Sequence, residues 1–559
     1  MTSALFLLGV SLPSPSPTAQ PLQPFGANVI TFSFLLSTLI WVPVIAALVI
    51  AALPNFRGRH NRTIYLIAFW TNAALLLLCL VAYNQANLFS PNPQFEENVP
   101  WVPAIGAAYH LSADGISIVL LLLGSLIGTV AVLASSGVRD RVREYMALML
   151  LVQGTVNGVL SARDGFVLVL FWIAGVLPVA LLLAGWGGPR RTQAASRFIA
   201  YSALGSAALL LAILLLYSNG GGAGFDLDVL FKTGLTPRAQ LVVAVLLVVA
   251  AATRLPLVPF HGWVRDALAE APVGVAVLVA GALTRLGGYL LIRVLVAGLH
   301  DGARLVAPLL AALAALTVIY AALAAFRNDD IRRLGAYAAL VPGGIFALGV
   351  AGLTPAAVLG ASLQLFAGGL AAAFIVGAVA VVAERAQTRS IGLMGGLAPR
   401  MPRLAWLLVL AGLGIIGVPG TLGFLSETLT FFGSFYNQPA ASFLVAIGLA
   451  IVAVVAAVSI QRILFGQPRP DSPGASDASL SEVWFLGLLA GCIIYFGVLP
   501  GGPKLGGTVT LFDQGIVNVM NNATSDFAGV YSPPDKSTPA PAAAQPAPTL
   551  PVTVTPSAP

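Results

Sequence analysis

The chain has 559 residues, of which 58% are hydrophobic and only 9% are charged. An ordinary soluble domain has about 25% charged residues, so the composition excludes a soluble fold. The net charge of +7 comes from short basic clusters between apolar runs, which excludes a nucleic-acid-binding patch.

A spanning helix needs about 20 apolar residues, and runs of that length recur along nearly the whole chain. An extracytoplasmic segment is predicted over residues 1–30; its short apolar stretch and the lack of a basic start disfavour a cleaved signal peptide, which stays the alternative. The sequence then predicts an all-α integral membrane protein with about fourteen spans: 32–53, 63–83, 115–135, 145–161, 165–186, 197–217, 239–259, 273–298, 304–325, 334–352, 355–383, 403–436, 440–463 and 483–500. Residues 532–559 are rich in Pro and Ala and predict a disordered tail.

Arginine clusters in alternate loops set the predicted orientation. Basic side chains stay on the cytoplasmic side during insertion, and clusters at 57–62, 139–143, 190–197, 327–333 and 385–403 fall in one set of loops. The 84–113 connection belongs to the other set and carries no Lys or Arg. Both termini are therefore predicted to face away from the cytoplasm.

Two predicted spans are interrupted by helix breakers: Pro256 and Pro259 in the seventh, Pro419 and Gly420 in the twelfth. Such breaks persist in membranes where protein or trapped water satisfies the freed backbone groups. After a first unit of three helices (31–144), the breaks favour two five-helix units, 145–298 and 304–463, each broken in its fourth helix and inverted relative to the other. The last helix, 483–500, follows them. The alternative is that the prolines kink ordinary helices.

Intramembrane ionisable residues are costly, so Glu427, Arg254 and Arg285 are candidates for a proton path or a charge axis. A buried carboxylate can load and release a proton, although Glu427 could instead stay protonated as a structural hydrogen-bond donor. An arginine keeps its proton in a protein, so neither arginine can carry one. A third arginine, Arg293, lies nearer a helix end and is predicted to reach the interface.

No phosphate-binding loop, metal-ligand cluster or nucleophile triad is apparent, so no catalytic or metal site is predicted. Cys79 and Cys492 lie inside apolar runs and are interpreted as packing residues. Redox chemistry, if the chain takes part in any, is expected on other polypeptides.

Several segments resemble the antiporter-like subunit M of bacterial complex I, a respiratory NADH-quinone oxidoreductase. They are VPWVPAIGAAYHLSADGIS, FWIAGVLPVALLLAGWGGPRR, the long RLPLVPFHGWVRDALAEAP stretch, DDIRRLGAYAAL and VPGTLGFLSE. The resemblance implies a multi-pass subunit of the bacterial cytoplasmic membrane that couples quinone reduction to proton translocation. It implies antiporter-like and other membrane-arm partners, with NADH, FMN, iron-sulfur clusters and quinone bound by partner subunits.

The same resemblance exposes departures along the family's central row of charged residues. The family's fifth-helix Glu corresponds to Ile173, and its seventh- and eighth-helix Lys residues correspond to Arg254 and Arg285. Two family His positions correspond to Pro342 and Gly368. Glu427 is retained. The sequence therefore predicts a degenerate proton relay; the alternatives are a non-pumping structural subunit and a subunit of a cation/proton antiporter.

Overall fold

The computed structural model describes residues 34–54, 58–86, 93–232, 234–467 and 476–500, together with residues 520, 521 and 524. The predicted N-terminal segment and the predicted tail lie outside them. The helices are α1 (Leu35–Ala52), α2 (Asn61–Gln85), α3 (Gly115–Ala134), α4 (Val142–Ser161), α5 (Gly165–Ala174), α6 (Val176–Trp186), α7 (Arg191–Asn219), α8 (Leu227–Phe231), α9 (Pro237–Arg254), α10 (Gly262–Glu270), α11 (Val273–Val296), α12 (His300–Phe326), α13 (Ile331–Ala338), α14 (Val341–Gly352), α15 (Pro355–Arg385), α16 (Pro402–Ile415), α17 (Leu422–Phe435), α18 (Pro439–Phe465) and α19 (Leu480–Val498).

Among the described residues, twelve helical stretches are long and apolar enough to cross a bilayer. Helix α4 and the pair α16 and α17 occupy the two other positions where the sequence predicts a span. The predicted helical multi-pass fold is therefore confirmed, while the number of fourteen crossings stays a prediction.

Helix starts follow local chemistry. Asp114 accepts a hydrogen bond from Ser117 N (2.8 Å) at the start of α3, and Asp164 accepts one from Phe166 N (2.8 Å) at the start of α5. These carboxylates satisfy backbone donors that have no partner within the helix. Four helices begin with a proline, whose missing N–H costs nothing there: α9, α15, α16 and α18.

The all-α prediction did not include a β-hairpin, which lies in the connection between α2 and α3. Strand β1 (Gln94–Val102) pairs antiparallel with β2 (Ala107–Ala113) around a short 3-10 turn. Gly106 ends that turn at φ +68°, a conformation that favours glycine. Glu97 on β1 accepts a hydrogen bond from Leu36 N (2.7 Å), so the hairpin holds the start of α1.

Helices α11 and α15 are buried along most of their length and form the centre of the bundle. Helix α11 contains two π-helical segments, Val279–Leu283 and Leu291–Val296, on either side of the α-helical turn that starts at Arg285. Such segments commonly mark functional positions in a helix. The outer helices expose large apolar side chains, including Trp70 and Trp484, as lipid-facing surfaces do.

Candidate functional site: a buried charge axis

The first helix break separates α9 from α10. Helix α9 ends at Arg254, α10 begins at Gly262, and Pro256 and Pro259 lie between them. Thr317 on α12 accepts a hydrogen bond from Val258 N (2.9 Å). The indole of Trp263 donates to Thr253 O (2.7 Å). Neighbouring side chains thus satisfy backbone groups that the break frees, as an apolar interior requires.

The second break separates α16, which ends at Ile415, from α17, which begins at Leu422. Pro419 and Gly420 lie in this break, and Gly417 and Gly420 adopt positive φ values of +61° and +93°. A β-carbon is disfavoured at such angles.

The two breaks are packed in a similar way. Helix α7 packs against both α9 and α10, and α15 packs against both α16 and α17.

Arg254, the last residue of α9, is only 1% exposed. Its Nη2 donates to Trp172 O (2.9 Å), and its guanidinium carbon lies 5.1 Å from the indole centre of Trp172 and 5.8 Å from the ring centre of Phe198. Its Nε and Nη1 have no hydrogen-bond partner among the residues that the structure describes. Within the described part of the chain, Arg254 has no carboxylate within ion-pair distance.

Ile173 follows Trp172 on α5 but points elsewhere. Its side chain is 45% exposed on the outer surface of the bundle. A carboxylate would be needed to balance the charge of Arg254. Helix α5 provides a neutral acceptor instead, the backbone carbonyl of Trp172.

Arg285, between the π segments of α11, is 2% exposed. Its Nε and Nη2 both donate to Thr284 Oγ1, at 3.2 and 3.0 Å, and its Nη1 has no partner. None of the ion pairs among the described residues includes it. The second buried guanidinium is therefore also without a balancing carboxylate.

Pro342 and Gly368 meet at Arg285. A β-carbon added to Gly368 would lie 2.5 Å from Pro342 Cβ and 3.2 Å from Arg285 Nη1. Arg285, Pro342 and Gly368, three of the positions proposed to depart from the family, thus adjoin one another, whereas Ile173 lies on the outer surface.

Glu427 on α17 is 6% exposed, and its carboxylate lies against Gly417, where a β-carbon would overlap Oε2. No hydrogen bond or ion pair joins it to another described residue. The neighbouring Ser426 hydrogen-bonds Gln364 on α15. Gln364 precedes Gly368 by four residues, about one helical turn, so α15 connects the surroundings of Glu427 with those of Arg285.

Sequence reasoning missed the partner of Arg293. Its Nη1 donates to Asp114 Oδ2 (2.6 Å), and both side chains are largely buried, so Arg293 forms an internal ion pair rather than reaching the interface. Asp114 could be recognised as a helix cap before an apolar run, but its contact with a residue 179 positions away has no local signal.

The hairpin carries a second cluster, outside the spans. His110 Nδ1 lies 2.5 Å from Asp226 Oδ2, and Nε2 lies 3.0 Å from Glu96 Oε1. Burial favours the neutral imidazole, but the hydrogen bond to Asp226 and the two negative charges outweigh it, so the pKa of His110 is raised. The sequence singled out none of these three residues.

Comparison with known proteins decides the family. A family model described as "NADH:quinone oxidoreductase/Mrp antiporter, TM" matches residues 162–453, slightly more than half of the chain. The chain belongs to this family.

Relatives within the family cover most of the chain. It is 33% identical over 440 residues to the NAD(P)H-quinone oxidoreductase chain 4 2 of Microcystis aeruginosa, covering 77% of this chain and 79% of that one. It is 30% identical over 472 residues to the NADH-quinone oxidoreductase subunit M of Rickettsia conorii, covering 83% and 95%. The resemblance to subunit M is confirmed.

Solved structures agree on the fold. A chain of respiratory complex I from Thermus thermophilus with bound NADH superposes with a TM-score of 0.77 at 27% identity, covering 89% of this chain and 100% of that one. A chain of the Mrp complex from Dietzia sp. gives a TM-score of 0.76 at 19% identity, covering 90% and 100%, which shows a shared fold alone.

Proposed function

We propose that this family member is a membrane-arm subunit of a bacterial proton-translocating NADH-quinone oxidoreductase, and that its own proton relay is degenerate. The proposal on coupling depends on one observation: two buried guanidiniums, of Arg254 and Arg285, occupy the axis without a described carboxylate partner. Subunit M relatives and the complex I neighbour support the place in the membrane arm.

The chemistry of arginine supports a weak or absent proton path. A lysine can shift its pKa and exchange a proton, but a guanidinium stays charged in a protein. Two of the proposed axis charges are therefore fixed, and the exposed Ile173 supplies no acid that could switch with Arg254. Glu427 remains as a titratable group, next to a break and near the polar pair of Ser426 and Gln364.

We further propose two inverted five-helix repeats, 145–298 and 304–463, in a fourteen-span protein of the bacterial cytoplasmic membrane with both termini outside the cytoplasm. The equivalent packing of α7 and α15 around the two breaks supports the repeats. The arginine clusters in alternate loops support the orientation. NADH, FMN, iron-sulfur clusters and quinone are expected on partner subunits.

Installing an acid beside a titratable base tests the proposed degeneracy. Because Ile173 points outward, the acid is placed at its neighbour: the double variant Trp172→Glu and Arg254→Lys puts a carboxylate on the α5 residue that contacts position 254. We expect more protons translocated per electron pair than in the wild-type complex, measured in sealed vesicles at matched electron-transfer rate. Arg254→Lys alone is the control, and a double variant with no gain would count against the account.

Two alternatives give different outcomes. A purely structural subunit would keep the complex assembled and give no gain in the double variant. A cation/proton antiporter subunit, an alternative that the family description includes, would support sodium-dependent growth in cells that lack a respiratory partner complex.

A further inference from the structure

Arg254 and the contacting Trp172 together carry three buried N–H groups that have no acceptor in the described part of the chain: Nε and Nη1 of the guanidinium and Nε1 of the indole. Both residues are 1% exposed. The contact between them is close, since the guanidinium carbon lies 5.1 Å from the indole centre. Buried donors without acceptors are costly, and structures that keep them usually hold an unseen water or ion.

The unbalanced positive charge of Arg254 costs more free energy than its unmade hydrogen bonds. The faces of Trp172 and Phe198 attract a cation, but they balance it only in part. Three other largely buried arginines have a carboxylate partner, whereas Arg285 has none among the described residues. Arg163 lies 2.5 Å from Asp228, Arg293 lies 2.6 Å from Asp114, and Arg332 lies 3.7 Å from Glu384.

The missing partner has to be small and negative, and it has to accept hydrogen bonds. A water molecule would accept hydrogen bonds but leave the charge in place. A carboxylate on the surface of a neighbouring subunit would have to enter the interior of this chain, because both residues are buried within it.

We propose that Arg254 and Trp172 bind a small inorganic anion of the halide class inside the bundle. The guanidinium supplies the charge and two N–H groups, and the indole supplies a third. This goes beyond the proposed function, because it holds whether or not protons cross this subunit.

Bromide is the direct probe, because it substitutes for chloride and scatters anomalously. Crystals of the intact complex grown with bromide in place of chloride should show an anomalous peak beside the Arg254 guanidinium and the Trp172 indole nitrogen. The peak should vanish in Arg254→Leu and remain in Arg293→Leu, where the altered arginine already has a carboxylate partner. Clear wild-type density without a bromide peak at Arg254 would overturn the proposal.

A second test uses a milder change. The melting temperature of the intact complex is measured while chloride replaces gluconate at constant ionic strength. The wild type should gain stability with chloride in a saturable way. Trp172→Phe keeps the ring and removes only the N–H, so half-saturation should need about tenfold more chloride, as expected for the loss of one hydrogen bond to a charged group.

An empty site predicts a different response to Trp172→Phe. If no anion is bound, Trp172→Phe removes an unsatisfied buried donor, so it should be neutral or stabilising at every chloride concentration. A wild-type melting temperature independent of chloride, together with that behaviour of Trp172→Phe, would overturn the anion site.

Discussion

The unpartnered Nη1 of Arg285 lies 3.2 Å from the position that a β-carbon at Gly368 would occupy. The same β-carbon would lie 2.5 Å from Pro342 Cβ, closer than real β-carbons approach another atom. The space at Gly368 thus depends on the arginine and the proline together, so these three residues form one structural unit.

We expect Gly368→His by itself to destabilise the subunit. The imidazole has no room beside Pro342 and Arg285, and overpacking of a core commonly costs about 1–3 kcal/mol. Blue-native gels and the melting temperature of the purified complex measure the effect. Adding Pro342→Gly to Gly368→His removes the clashing β-carbon and should restore part of the stability; a single variant as stable as the wild type would contradict the geometry.

The two glycines of the second break offer a matched pair. Gly417→Ala would strain a backbone at φ +61° and also push against the Glu427 carboxylate, whereas at Gly420, with φ +93°, no atom lies within 4 Å of an added β-carbon. Positive φ costs a non-glycine residue about 1–2 kcal/mol. Gly420→Ala should therefore lower the melting temperature modestly and Gly417→Ala more. Equal losses would show that Glu427 does not lie against the break.

The sequence predicted the helices, their breaks and the isolated charges because each leaves a local mark: apolar runs of bilayer length, Pro and Gly within them, and a charged residue in an apolar context. It could not predict which charges meet. Arg293 and Asp114 are 179 residues apart, and only the packing of α11 beside the start of α3 joins them. The hairpin was missed because β1 is mostly exposed, contains Pro100 and lacks a regular alternation of apolar and polar residues.

The buried ion pair of Arg293 and Asp114 should stabilise the fold more than a surface ion pair does. Removing one partner of a buried pair typically costs about 3–5 kcal/mol, because the other charge stays behind unbalanced. Asp114→Asn keeps a side-chain oxygen to cap α3, and Arg293→Met keeps much of the volume. In a double-mutant cycle on melting temperature, the double variant should be clearly less destabilised than the sum of the single variants; additive losses would argue against the pair.

The cluster at His110 should make the hairpin sensitive to pH. Its raised pKa means that the charged imidazole stabilises the folded hairpin fully below the unfolded pKa, about 6.5, and that this stabilisation is lost as the pH rises through the higher folded value. Protease cleavage within residues 94–113 should therefore become faster from acid to alkaline pH, relative to His110→Gln. If the ratio of the wild-type to the variant cleavage rate does not change with pH, this prediction is contradicted.

The sequence named the candidates for the proposed axis, but it could not give their surroundings. Arg254, Arg285 and Glu427 stand out in the sequence, yet only the structure joins Arg285 to Pro342 and Gly368 and directs Ile173 to the surface. Side-chain direction at residue 173 depends on how α5 packs, and that information is spread over helices far apart in sequence.

The most direct test of the degenerate relay is the number of protons translocated per NADH oxidised by the intact complex in sealed vesicles, comparing wild type with Glu427→Gln at matched electron-transfer rate. The variant keeps the size of the side chain and removes its only titratable group. The account predicts the same number of protons in both, because the arginines have already fixed the axis. A clear drop in Glu427→Gln would place Glu427 on a working proton path and contradict it.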